Sequence, residues 1–499
     1  MEVDLQADFF TGGSTSAMRA VFASWPLAEC KAWLEDADEG LGLPLSAEDA
    51  TKKYFPESNS AKEVRDRLVA ACSRLGVTFR YNASVESIAA FPLDAPVAEQ
   101  SGGHASSAAA REHTHPGSAG RAESTSEEED PAARSGARGP RKKGRGPRGV
   151  GGGGGGGEKG GVGASNTTTV PNGGWVCNLA GGERHTCDRL VIATGGLSFP
   201  KVGTDGTGHR FLRRLGLELR ETYPALTPLT GTHPGGEQLA GLSLYTVAAS
   251  VGGGRKAGGA AATAHRPDFL FTHKGFSGPS VLDLSHHFIN ALSAAATQAQ
   301  QAQQAAQQGA QQAQQQGAGG SATAAVEDAP AMLLNWTGES AEAWDERLRA
   351  GGLPLVRTVL QRHGIRERLA DALVQELGLA ATKLSQLKGS DRAALVTALT
   401  AYPLRITGSE GFRKAEVTGG GLPLEALQCG TMESRTHQGL HLCGEVLDVF
   451  GRIGGFNFYW AWVSGRLAGL GAAHAADTRA VSRALREQKQ LWAQWEENW

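Results

Sequence analysis

Two hydrophobic periodicities alternate along the chain. Apolar residues recur every three to four positions in Met18-Arg-Ala-Val-Phe-Ala-Ser-Trp25, in Leu27-Ala-Glu-Cys-Lys-Ala-Trp-Leu34 and from Ala61 to Leu75. That spacing predicts three helices, the first two separated by Pro26 and the third closed by Gly76. From Val77 to Ile88 the pattern switches to alternation, which predicts a strand. Trp175 to Ala180 and Arg184 to Thr194 read as a hairpin, and its second arm ends in Ala193-Thr-Gly-Gly196. Such a short apolar run predicts a buried parallel strand, with glycines that let a ligand approach the backbone.

Between Gly216 and Leu404 the pattern changes. Strand-like pieces, Ser243 to Val251 and Asp268 to Thr272, give way to helical spacing near Leu355, Leu369 and Ala393. After Arg405 comes the most informative stretch. Gly439 to Cys443 is strand-like, and Gly444-Glu445 follows it. A glycine-rich turn then spans Gly451 to Gly455, and a helix begins whose small residues Ala461, Gly465 and Ala468 predict close packing on a sheet. A strand, a turn and a helix amino-terminus brought together in this way aim backbone N–H groups and a helix dipole at an anion or an electron-rich ring. Val481 to Trp499 predicts a terminal amphipathic helix.

Composition changes this picture in two places. From about Asp94 to Asn172 periodicity is lost; an acidic block, Glu127 to Asp130, precedes a basic one, Arg138 to Arg148, and a run of glycines. This predicts a disordered insertion, a solvated tether rather than an RNA-binding tract, since no aromatics interleave the arginines. Ala294 to Ala325 is an Ala/Gln tract with no apolar face, a second insertion. Charge is nearly balanced, 49 basic against 51 acidic residues, so no global field recruits nucleic acid or membrane. The six cysteines show no C-x-x-C or zinc spacing, so free thiols in a reducing compartment are expected. No apolar run approaches the ~20 residues of a membrane span, and no signal peptide is visible.

The Ala-Thr-Gly-Gly strand and the Leu442-to-Gly469 stretch together resemble flavoprotein oxidoreductases of the glutathione-reductase type. More narrowly they resemble the BaiN-like (YhiN-type) family of FAD-dependent, nicotinamide-linked oxidoreductases. Phe55-Pro-Glu-Ser58, Tyr223 to Leu229, Leu270 to Pro279, Val417-Thr-Gly-Gly-Gly421 and Thr431-Met-Glu-Ser434 follow in the family's order. The resemblance implies an α/β fold, an FAD-binding Rossmann-like domain interrupted by an inserted β-plus-helical domain. Its parts would be 1–93, 173–215 and 405–476, with the disordered insertion at 94–172, the inserted substrate domain at 216–404 and the terminal helix at 477–499.

The implied function is hydride transfer from NAD(P)H through FAD to an unsaturated or carbonyl-bearing small molecule. No membrane partner is expected, and nucleic acid is set aside. Flavin carries the hard chemistry, which accounts for the absence of a nucleophile, triad or metal cluster in the pattern. By the resemblance, Gly454, Gly455, Phe456 and Asn457 would sit under the pyrimidine edge of the ring. Gly444 and Glu445 would take the ribityl chain, Thr194, Gly195 and Gly196 would border the adenosine side, and Val85 would lie beside the adenine. His273, in Thr272-His-Lys-Gly-Phe-Ser-Gly-Pro279, is the candidate proton donor, ahead of Lys274 and Ser277.

In the family, the first helices follow a nucleotide-binding strand and its Gly-rich loop. No G-x-G-x-x-G behind an apolar strand occurs before Ala193. The expectation is an incomplete version of a longer intracellular protein, cytoplasmic, or organellar if a transit peptide precedes Met1. The alternative is a non-catalytic scaffold for partner binding, and a third reading ties the Arg/Gly tract to RNA.

Overall fold

Helix Thr15–Phe22 starts where the Ser14 hydroxyl accepts the Ala17 N–H, and helix Leu27–Glu35 follows Pro26. Ser60 caps helix Ala61–Arg74 in the same way through the Glu63 N–H. The structure, a computed structural model, describes residues 3–48, 53–92, 173–236, 239–252, 263, 268–313 and 331–474. The described residues all belong to one compact unit. The Asp94–Asn172 insertion and the helix expected over Val481–Trp499 lie outside the described residues.

The element that positions the candidate site is a four-stranded sheet in the order Leu427–Gln428, Glu433–Ser434, Leu440–Leu442, Leu190–Ile192. Its last pair is parallel, with Leu440 opposite Leu190 and Leu442 opposite Ile192. Helix Phe456–His474 packs on it through Trp460, Val463, Ser464, Leu467 and Ala468, all buried. The expected small-residue contact is corrected in part. Ala461 is exposed, and a Cβ on Gly465 would meet nothing within 4 Å, whereas one on Gly471 would fall 2.3 Å from the Thr431 carbonyl oxygen. The close face lies one strip round the helix, set by Trp460 and Ser464 bonding to the Gly444 turn.

Residues 229–409 contribute a seven-stranded antiparallel sheet, with Leu229–Thr232 between Gly275–Ser277 and Tyr402–Ser409. Its core holds Phe269, Phe271, Phe276, Trp336 and Trp344, each at most 2% exposed, with helices Ala341–Arg349, Val356–Arg362, Glu367–Glu376 and Gly389–Thr400 packed against it. The first part of the Ala/Gln tract is helical, since helix Pro279–Ala313 runs into it.

The strand expected over Val77 to Ile88 forms only from Val85, as Val85–Pro92, paired with Gly173–Leu179. Val77, Phe79 and Tyr81 stay exposed, and the latter two rings stack 6.1 Å apart. Alternation states which side chains share a face; ladder bonds need a neighbour, and 77–84 belongs to no described sheet, although the Ser84 carbonyl accepts the Ala180 N–H at 2.8 Å. No described helix is long and apolar enough to cross a membrane.

Candidate functional site

Because Ile192 and Leu442 lie side by side in parallel strands, both chains leave the sheet at the same end. The Cys443 N–H donates to the Ile192 carbonyl at 3.2 Å, which sets Thr194–Gly196 beside Gly444-Glu445. The carboxyl ends of parallel strands are where open α/β sheets bind ligands. A third segment, Val417–Gly421, pairs antiparallel with Arg220–Ala225 and brings in Thr418, which is fully buried.

Thr418 joins the three segments. Its N–H donates to Glu445 Oε1 at 2.8 Å, and its Oγ1 accepts the Leu197 N–H at 2.7 Å and lies 3.2 Å from Ser198 Oγ. Gly196 is required there, since a Cβ would come within 2.3 Å of Thr418 Oγ1 and 2.5 Å of Glu445 Oε1. Gly208 permits the same closeness to Thr194, 2.1 Å from its Oγ1. The Gly444 N–H is taken by Ser464 Oγ at 3.0 Å, and the Gly444 carbonyl accepts Trp460 Nε1–H at 3.1 Å. A Cβ on Gly444 would meet no atom within 4 Å, so its outer side is open.

The glycine turn is clamped from both flanks. Asn457 closes it, accepting the Gly451 N–H at 2.8 Å and donating to the Gly451 carbonyl at 3.0 Å. The Arg452 guanidinium pairs with Asp8 and lies 4.5 Å over the Phe456 ring, and the Ile453 N–H donates to Asp283 Oδ1 at 2.8 Å. Gly454 and Gly455 adopt φ of 128° and 100°, which glycine tolerates and other residues resist. Space beside Gly455 is open, and the first-turn N–H groups of helix Phe456–His474 have no intrahelical acceptor.

The cluster is electrostatically unusual. Burial pushes the Glu445 carboxyl above its ordinary range, against the pull of its bonds from Thr418. Asp448, 2% exposed, accepts the Gly12 N–H at 3.0 Å and pairs with Arg220 Nε at 2.9 Å. Burial outweighs Arg220 and raises its pKa to about 6. His209, packed against Gly421 and Val446, is held toward its neutral form by burial.

The structure thus brings together Thr194, Gly195, Gly196, Gly444 and Glu445, and it places Gly454, Gly455, Phe456 and Asn457 on the neighbouring turn. The Phe456 ring points into the core, so only its backbone is available. Val85 stands apart, opposite Leu179 in the three-stranded sheet. His273 occupies the exposed turn between Phe269–Thr272 and Gly275–Ser277, outside this hydrogen-bonded cluster, with Lys274 reaching Glu410 at 3.6 Å. Sequence reasoning passed over Thr418, Asp448 and Asp283. Thr418 lay within a quoted motif; the two carboxylates carry no local signal, because their partners are distant in the chain. Among the described residues no group of three His, Cys, Asp or Glu side chains is placed to hold a metal.

Residues 165–471 match the HI0933-like protein Rossmann domain. A ribosomal RNA dihydrouridine synthase of Escherichia coli (strain K12) is 32% identical over 288 residues, covering 56% of this chain and 59% of the relative. A second, from Haemophilus influenzae, is 28% identical over 281 residues, covering 56% and 58%. A 3-dehydro-bile acid delta(4,6)-reductase of Clostridium scindens is 28% identical over 305 residues, covering 59% and 64%. The chain therefore spans about three fifths of the length of these curated relatives.

Proposed function

Since the chain belongs to the HI0933-like Rossmann-domain family, we propose that it is an FAD-dependent oxidoreductase that saturates a carbon–carbon double bond conjugated to a carbonyl. Uracil in RNA is the first substrate to test, and NAD(P)H the electron donor. The substrate class rests on what the relatives' names have in common. Dihydrouridine is uridine saturated at C5–C6, and C6 is β to the C4 carbonyl. A delta(4,6) steroid with a 3-keto group is likewise an extended enone. Each reduction places hydride on a carbon conjugated with the carbonyl and a proton on the adjacent carbon of the double bond.

The observation that carries the flavin reading is the glycine turn, open beside Gly455, whose Gly454, Gly455 and Phe456 N–H groups have no acceptor among the described residues, beside the Gly196–Thr418–Glu445 cluster. Bound there, FAD would supply the hydride. The Gly454, Gly455 and Phe456 N–H groups would hold the electron-rich edge of the ring, and Asn457 and Asp283 would keep the turn in shape. Glu445 has one oxygen engaged by Thr418 and a second for a ribityl hydroxyl. His273 is the proposed proton donor to the substrate carbon.

Visible absorbance during FAD titration of the purified chain tests the first half. Flavin bands are expected, and their absence at saturating FAD sinks the reading in favour of a scaffold. The second half is tested by incubating the holoprotein with ribosomal RNA and NADH or NADPH, then reading a two-hydrogen mass gain in uridine. Reduction of a steroid enone with unaltered RNA would transfer the assignment to small molecules. Wild-type turnover in a His273→Ala variant that still holds FAD would remove His273.

A further inference from the structure

A cavity of about 170 Å³ opens at the turn between helices Val356–Arg362 and Glu367–Glu376, away from the cluster just described. Leu244, Trp336 and Ile365 are buried core residues and give it an apolar, fixed floor. The rim differs. Tyr245, 64% exposed, and the exposed Arg366 both line it. A dry cavity of ~150 Å³ accepts one benzene ring, so this one has room for one six-membered ring.

The surrounding surface is basic. Arg362, His363, Arg366 and Arg368 lie exposed within seven residues, against the single acid Glu367. Asp371 is already paired with Arg357 at 3.0 Å, and Arg368 donates to the Ala240 carbonyl at 3.3 Å. Among the described residues Arg362 and Arg366 enter no ion pair. An exposed aromatic ring, an open ring-sized cleft with an apolar floor and a polar rim, and two guanidinium groups that enter no ion pair form the combination that single-stranded nucleic acid uses, a base stacked on the ring and phosphates on the arginines.

We propose that this cleft is an RNA-docking site. One unpaired base enters the cavity against Tyr245, and the adjoining phosphates lie on Arg362 and Arg366. The proposal rests on the reading of RNA as substrate, and it locates a contact surface that the redox site does not contain.

The test is fluorescence anisotropy of a labelled single-stranded RNA from ribosomal RNA, titrated with the full-length holoprotein over a range of salt. Arg362→Glu with Arg366→Glu is expected to weaken binding at least tenfold and to flatten the salt slope by about 1.4 for two lost phosphate contacts. Tyr245→Ala is expected to weaken it about fivefold or more at every salt concentration. FAD content and thermal midpoint stay unchanged in both variants, which separates docking from folding. Wild-type binding that both variants retain overturns the site and leaves uracil reduction standing. Absence of wild-type RNA binding overturns the reading beneath it as well. Competition by polyglutamate as effective as by RNA, with no effect of Tyr245→Ala, would make this a surface for an acidic protein and overturn the proposal.

Discussion

The cluster around Thr418 and the sheet built from residues 229–409 are held together by different physics. In the sheet, Phe269, Phe271, Phe276 and Trp336 pack ring against ring at centroid distances of 5.0 to 6.0 Å, and stability comes from apolar area removed from water. Around Thr418, three chain segments meet through hydrogen bonds and through glycines that allow atoms to approach where a Cβ would collide. The first region spreads its energy over many contacts of similar kind. The second concentrates it in a few polar atoms whose partners cannot be moved. A ligand site needs the second kind of order, because defined backbone donors beside open space require segments held in place from behind.

The largest effect that would sharpen this contrast is Phe271→Ala. It empties a fully buried site and is expected to cost about 3–5 kcal/mol in urea unfolding, with FAD affinity of the folded fraction within threefold of wild type. A matching loss of FAD affinity in folded protein would erase the distinction between the regions.

Asp448 gives the next largest effect. Its pKa rises from 3.8 to about 6 on folding, so the folded chain holds that proton more tightly than the unfolded chain. Its contribution is present below about pH 4 and is lost as pH rises through 6, by up to about 3 kcal/mol. Subtracting the stability curve of Asp448→Asn from that of wild type should expose this fall between those limits; a flat difference would place the carboxylate in an ordinary environment.

The smallest effect is the most specific. Gly196→Ala drives a Cβ to 2.3 Å from Thr418 Oγ1, with an expected loss of about 1–3 kcal/mol and at least tenfold in FAD affinity. Gly465→Ala, where nothing lies within 4 Å, should instead gain about 0.5–1 kcal/mol, because it removes a glycine from a helix interior. Equal behaviour of the two variants would break the claim that close approach, and not glycine as such, defines the site.

Much of this was legible in the chain. The periodicities of Met18–Trp25, Leu27–Leu34 and Ala61–Leu75 state helices that the structure contains, and the runs Gly439–Cys443 and Arg184–Thr194 contain the strands Leu440–Leu442 and Leu190–Ile192, whose pairing with each other only the structure supplies. The motif residues Thr194, Gly196, Gly444 and Glu445 converge because register places them at one sheet end. Val77–Tyr81 was legible only as a pattern. Its alternation carries no information on whether a neighbouring strand is there to pair with it.

The sequence by itself determined most of the local elements, the glycine turns and the family at the level of an FAD-binding Rossmann flavoprotein, because each depends on residues within a few positions or on an ordered set of short motifs. Tertiary structure alone decided which face of helix Phe456–His474 meets the sheet, that Thr418 bridges Leu197 and Glu445, and that Asp8, Asp283 and Asp448 brace Arg452, Ile453 and Gly12. It also brought Tyr245 and Arg366 to one cavity across 121 residues of chain. The physical reason is range: propensity and turn chemistry act over one or two helical turns, whereas a buried carboxylate selects its partner only once distant segments have packed and water has been excluded.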